Sequence, residues 1–97
     1  MRRQPRVYRI EPGQARRFAD EWARSVRPLR EAFGFRVAAA WVSDEEDLFT
    51  WLLEHNGDFE GADAAYYRSP ERAAFDVDPR RLIADVIVTA FVEPIES

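Results

Sequence analysis

The sequence predicts an α+β fold of β-α-β-β-α-β order, and three observations predict it. Short runs of strand-forming residues lie at 6–11, 35–42, 48–54 and 85–92. A helical apolar stripe separates the first two runs, and a capped helical segment separates the last two. That order is the split βαβ, or ferredoxin-like, arrangement of four antiparallel strands.

Residues 6–11 (Arg-Val-Tyr-Arg-Ile-Glu) form the first strand, and Pro12-Gly13 stops it. Ala15, Phe18, Trp22, Val26, Leu29 and Phe33 then recur at gaps of three and four, which traces one stripe of a helix. Arg16, Arg17, Asp20, Glu21, Arg24, Arg27, Arg30 and Glu31 fall on the opposite, solvated face. Pairs such as Arg17–Glu21 and Arg27–Glu31 add a few tenths of a kcal/mol each. Pro28 lacks a backbone donor and predicts a bend, and Gly34 ends the helix.

Residues 35–42 and 48–54 flank an acidic turn, Ser43-Asp44-Glu45-Glu46-Asp47, and read as a hairpin. With Val42 opposite Leu48, Arg36 faces Glu54, and Phe35, Val37, Trp41, Phe49, Trp51, Leu53 and His55 share one face. Asn56-Gly57 turns the chain, and Asp58 caps a helix from Phe59 to about Tyr67. Ser69-Pro70 opens a shorter helix to about Phe75, and Asp78-Pro79 repeats the signal for one turn. Residues 85–92 (DVIVTAFV) make the last strand, which Pro94 ends.

Three of the four strands are apolar on both faces. Residues 37–42, 48–53 and 86–92 contain two hydroxyls, Thr50 and Thr89, and no charge. Two helices cover one side of such a sheet, so the other needs a cover that this chain does not spare. A second copy is the economical one, which predicts a homodimer joined through its sheet faces.

At 97 residues and 11.3 kDa there is room for one domain, residues 1–97. Thirteen aromatics exclude a disordered chain, and the absence of cysteine excludes disulfides, thiolate metal sites and cysteine nucleophiles. Without a membrane-length apolar run or signal peptide, the expected setting is the cytoplasm. All fourteen basic residues are arginine. Residues 1–36 carry a balance of +6 and residues 37–97 one of −10, which makes the stated −4. Arginines interleaved with acids on a helix, in an acidic chain, argue against a nucleic-acid surface.

The chain resembles the NIPSNAP family of the dimeric α+β barrel superfamily. The resemblance is carried by Val7-Tyr8-Arg9-Ile10 with Pro12-Gly13, by Pro28-Leu29 and Gly34-Phe35, and by Ala40-Trp41-Val42 and Phe49-Thr50-Trp51-Leu52. Most specific is Ala62-Asp63-Ala64-Ala65-Tyr66-Tyr67 with Ser69-Pro70-Glu71-Arg72. It spans residues 6 to 95 and implies the same fold and dimer, but no particular reaction. The wider superfamily includes haem-degrading and cofactor-free quinone-forming monooxygenases, which Trp51 resembles in its place on the third strand. The haem enzymes use a histidine on the next helix. Residues 59–75 hold none, so no haem or other cofactor is expected.

His55, the sole histidine, has an intrinsic pKa suited to proton transfer, but a lone histidine makes a poor metal site and none is expected. Tyr66 and Tyr67 lie about 100° apart on a helix. One of them therefore edges the cleft, with Asp63 as the partner that orients it. Trp22, Trp51, Tyr66 and Tyr67 are the candidate aromatic lining, and Arg72 or Arg36 the candidate for an acidic group of a ligand. Ser25, Ser43, Ser69 and Ser97 have no histidine beside them in sequence, and no glycine-rich phosphate loop occurs. The leading expectation is a dimer that binds a small apolar or aromatic molecule between helices and sheet. A second is a cofactor-independent monooxygenase or isomerase with His55 and Asp63 moving protons, and a third is a dimeric scaffold without chemistry.

Overall fold

The computed structural model describes residues 1–95. Strand β1 (Arg2–Ile10) leads into a helix of three continuous pieces: α1 (Ala15–Glu21), a π-helical turn (Trp22–Val26) and α2 (Arg27–Ala32). The hairpin is β2 (Arg36–Ser43) and β3 (Leu48–His55). Helices α3 (Phe59–Arg68) and α4 (Pro70–Ala73), a 3₁₀ turn (Pro79–Leu82) and β4 (Ile83–Thr89) follow. The sheet runs β2-β3-β1-β4 with every pair antiparallel, the ferredoxin-like antiparallel sheet that the sequence predicts. No helix among the described residues is long and apolar enough to cross a membrane.

The caps lie where the sequence puts them. Asp58 accepts from the Gly61 N–H, Ser69 from Arg72 and Asp78 from Arg80. Gly34, at φ +86°, ends α2 in a conformation that costs other residues more. β1 begins four residues before the predicted start. Pro5 is tolerated inside it because β4 pairs with β1 only from Arg6 onward, leaving Pro5 without a ladder partner there.

Pro28 does not end the helix, and the adjustment comes before it. The turn widens so that the Arg27 N–H reaches the Trp22 carbonyl, five residues back. A wider turn advances fewer degrees per residue, which swings the following residues round the axis. Arg30, expected on the solvated face, is brought inward and is 1% exposed.

The hairpin pairs Arg36 with Glu54 as predicted, and their side chains lie 3.8 Å apart. At its other end Val42 faces Phe49 rather than Leu48, because the register shifts between Val37 and Ala39. That bulge exchanges faces beyond it. Trp41, predicted to share the face of Phe49 and Trp51, instead pairs with Thr50 on the outer side and is 59% exposed. β4 likewise stops at Thr89 rather than Val92, whose N–H reaches the Arg3 carbonyl as a single bridge. Between them Phe91 leaves the ladder and sets its ring edge-on to Phe59, 4.9 Å away.

The helices cover the face bearing Tyr8, Ile10, Phe49, Trp51 and Leu53, all buried in one core with Phe18 and Trp22. The molecule measures 40 × 35 × 18 Å, thick enough for one sheet and one helical layer. On the uncovered face lie Pro5, Val7, Trp41, Leu48, Leu52 and Val88. Arg3, Arg36 and Glu54 stand at one end of this apolar area, Arg9 and Asp85 at the other.

Candidate functional site

Trp51 projects from the middle of β3 into the seam between helix and sheet. Its Nε1 donates to the Tyr8 hydroxyl at 3.1 Å, and the Trp22 ring meets it edge-on at 5.3 Å. Their packing leaves a cavity of about 30 Å³, lined among others by Trp22, Arg30, Trp51, Tyr66 and Arg72. That is room for roughly two water molecules. Tyr67 and Arg80 line this cavity and also two open clefts of about 260 Å³ each. One cleft runs along β4 past Ile83, Val86 and Thr89, and the other lies beside α4.

The polar groups here form two knots. Asp63, on α3, accepts from Arg30 Nη1 at 2.6 Å and from Arg6 Nη2 at 3.1 Å. Arg6 also donates through Nε to Gln4 at 2.7 Å and through Nη1 to the Tyr67 hydroxyl at 3.4 Å. Asp78 accepts from Arg72 Nη2 at 2.9 Å and from Arg80 Nη2 at 3.1 Å. Four guanidiniums thus share two carboxylates, a surplus of two positive charges in a chain of net charge −4. Burial pushes the Asp78 carboxyl up, but hydrogen bonds from Arg80 and Arg72 outweigh it and hold it at about 2. Burial raises the Tyr8 and Tyr66 hydroxyls above the ordinary tyrosine value. The Arg30 guanidinium lies 3.8 Å over the Tyr66 ring, held by a cation–π contact as well as by Asp63.

Four buried side-chain atoms lack a hydrogen-bond partner among the described residues: Trp22 Nε1, Arg30 Nε, Tyr66 Oη and Arg72 Nε. All four residues line the one cavity.

Trp22, Trp51, Tyr66, Tyr67 and Arg72 therefore come together, and Asp63 stands beside them. Tyr66 is 1% exposed and Tyr67 42%, so Tyr67 is the one that edges the cleft. Asp63 was expected to orient a tyrosine. It holds Arg6 and Arg30 instead, and Arg6 makes the bond to Tyr67. His55 is apart from this group. Its Nδ1 accepts from the Gly57 N–H at 2.9 Å and its ring meets Phe35 edge-on, so it braces the turn after β3. Arg36 lies on the outer sheet face with Glu54, away from the cavity. Ser69 is a helix cap and the Ser43 Oγ accepts from the Glu46 N–H, while Ser97 lies outside the described residues.

Arg6, Tyr8, Arg30 and Arg80 belong to the site and were not among the candidates. Arg6 had a signal in the strand alternation, which puts Gln4, Arg6, Tyr8 and Ile10 on one face. Arg30 had a weaker one. It lies eight residues after Trp22, close to the apolar stripe, and a proline two positions earlier marks a disturbed helical phase.

No protein-family model matches the sequence, and neither does any curated protein. Solved structures do match. An uncharacterised NIPSNAP domain protein from Burkholderia xenovorans superimposes with a TM-score of 0.81 at 16% identity, over 98% of this chain and 95% of that one. A protein from Agrobacterium tumefaciens gives 0.84 at 14% identity, over 98% and 94%. Similarity at that identity speaks for architecture alone. The chain has the fold of a NIPSNAP domain.

Proposed function

We propose that the protein is a cytoplasmic homodimer that binds a small flat or apolar molecule in the cleft between its helices and its sheet. The observation that carries the binding half is the seam itself. An aromatic-walled cavity with buried, unpartnered polar atoms on its lining residues adjoins a cleft along β4, where Val86 stays 53% exposed on the helix side. The ligand's body lies in that cleft against Tyr67, Ile83 and Val86. The dimer half is supported by the uncovered sheet face, whose apolar middle and charged ends have the composition of an interface core and rim. Hiding it against a second copy buries Trp41, an exposed residue of the kind that dominates binding energies.

A scaffold without a ligand is the second reading, favoured by the Trp22–Trp51 packing that leaves the cavity only about 30 Å³. The proton-transfer reading gains no support from the placement of His55 and Asp63, which serve different parts of the fold.

Light scattering at micromolar concentration and a thermal-shift screen of aromatic acids, quinones and haem test both halves. The expected results are a particle of twice 11.3 kDa and a raised melting temperature with at least one flat compound. A particle of 11.3 kDa overturns the dimer. A screen without any shift leaves the scaffold.

A further inference from the structure

We propose that the cleft selects carboxylates, with the carboxylate head entering the small cavity between Arg30, Arg72, Tyr66 and Trp22. The proposal rests on the cleft reading above and names its ligand class.

Two independent observations lead to it. The first is donor chemistry. Indole Nε1 and guanidinium Nε only donate, and a tyrosine hydroxyl donates when an acceptor is offered. The four unpartnered buried atoms are therefore all donors, on four residues that line one cavity. None of the four atoms shows as much as 1 Å² of surface, so an acceptor reaches them through a small shift of the side chains that line the cavity.

The second is charge. A neutral acceptor would suit the four donors as well, but among the described residues Arg6, Arg30, Arg72 and Arg80 are balanced by Asp63 and Asp78 alone. The local surplus of two positive charges lies within a chain of net −4, so it does not simply follow the overall composition. Arg30 and Arg72 are both more than nine-tenths buried, where a bound anion is weakly screened.

A cavity of about 30 Å³ takes a small head group, and a carboxylate is a small anionic head that an apolar or aromatic body carries. An apolar or aromatic body attached to that carboxylate lies in the cleft lined by Tyr67, Ile83 and Val86.

Calorimetric titration with matched acids and amides tests this: benzoate against benzamide, and phenylacetate against phenylacetamide. We expect the acids to bind about tenfold or more tightly than their amides, since a charge-assisted bond is worth that factor. Arg72→Gln and Trp22→Phe should each weaken the acids by about tenfold, the first through charge and the second through loss of one donor with the ring kept. Arg36→Gln, on the outer face, should leave binding unchanged. Equal binding of acid and amide overturns the anion inference and leaves the cleft reading standing. Binding of neither overturns both. Acids that bind Trp22→Phe as tightly as the parent protein place the carboxylate elsewhere, even if Arg72→Gln fails to fold.

Discussion

Asp63 gathers two guanidiniums on one carboxylate oxygen, Oδ1, from strands and helices that are distant in sequence. Removing it leaves Arg30 and Arg6 buried without their acid, a far larger loss than that of an exposed pair. Asp63→Ala should therefore destabilise the fold by about 3 kcal/mol in urea unfolding, the low end for a broken buried pair because Asp63 itself is partly exposed. Asp78 gives a pH signature. Its folded pKa of about 2 lies below the ordinary 3.8, so its pairing is fully present above the higher value. As pH falls from about 3.8 to 2, the unfolded chain binds a proton that the folded chain refuses, and stability drops. Urea midpoints measured across that window should fall, and Asp78→Asn should flatten that part of the curve. Glu21, held low chiefly by hydrogen bonding from Arg81, contributes in the same direction.

Among the elements, β2 carries a device that its composition hides. Ala38, Ala39 and Ala40 are interchangeable residues in a strand that holds one more residue than its partner needs. Whether that extra residue is bulged out or kept in register decides which face Trp41 takes. Deleting one of the three alanines should close the bulge and leave Val37 opposite Leu53, Ala39 opposite Leu52 and Trp41 outside. Urea stability should stay within about 1 kcal/mol of the parent, and Trp41 should remain open to acrylamide quenching. Inserting an alanine there should bury Trp41 instead or unfold the hairpin, since a one-residue slip exchanges faces. The π-helical turn before Pro28 acts in the same way on the helix: one wide turn exchanges a solvated arginine for a buried one.

For the whole molecule, the decisive surface is the sheet face that the helices leave bare. Trp41 stands on it near Thr50 and Leu52. If two copies meet there, Trp41→Glu places a charge within the dry contact, on its β2 side. Sedimentation equilibrium should show dimer dissociation strengthened by about 30-fold or more, the loss of one dominant aromatic contact. An unchanged dimer in that variant assigns the contact to another face, and the exposed β4 edge with Ile87 would then be the next surface to vary.

The element order, the antiparallel sheet and three helix caps were legible in the sequence because each rests on local chemistry: alternation, a proline or glycine stop, a side chain within three residues of the N–H it accepts from. Arg36 falls opposite Glu54 as expected only because the bulge after Val37 offsets a one-residue error in the expected register at the turn. The aromatic half of the site was readable too, since Trp22, Trp51, Tyr66 and Tyr67 stand on predicted faces. The charged half was not. Whether Arg30 meets water or Asp63 depends on a helical phase reset by a wide turn, and whether Trp41 points in or out depends on whether one surplus alanine bulges out of the ladder. Periodicity carries no mark of where a phase slips. Only the packing of helix against sheet chooses that place, because it balances a proline's missing donor and a strand's spare residue against the burial of everything beyond them.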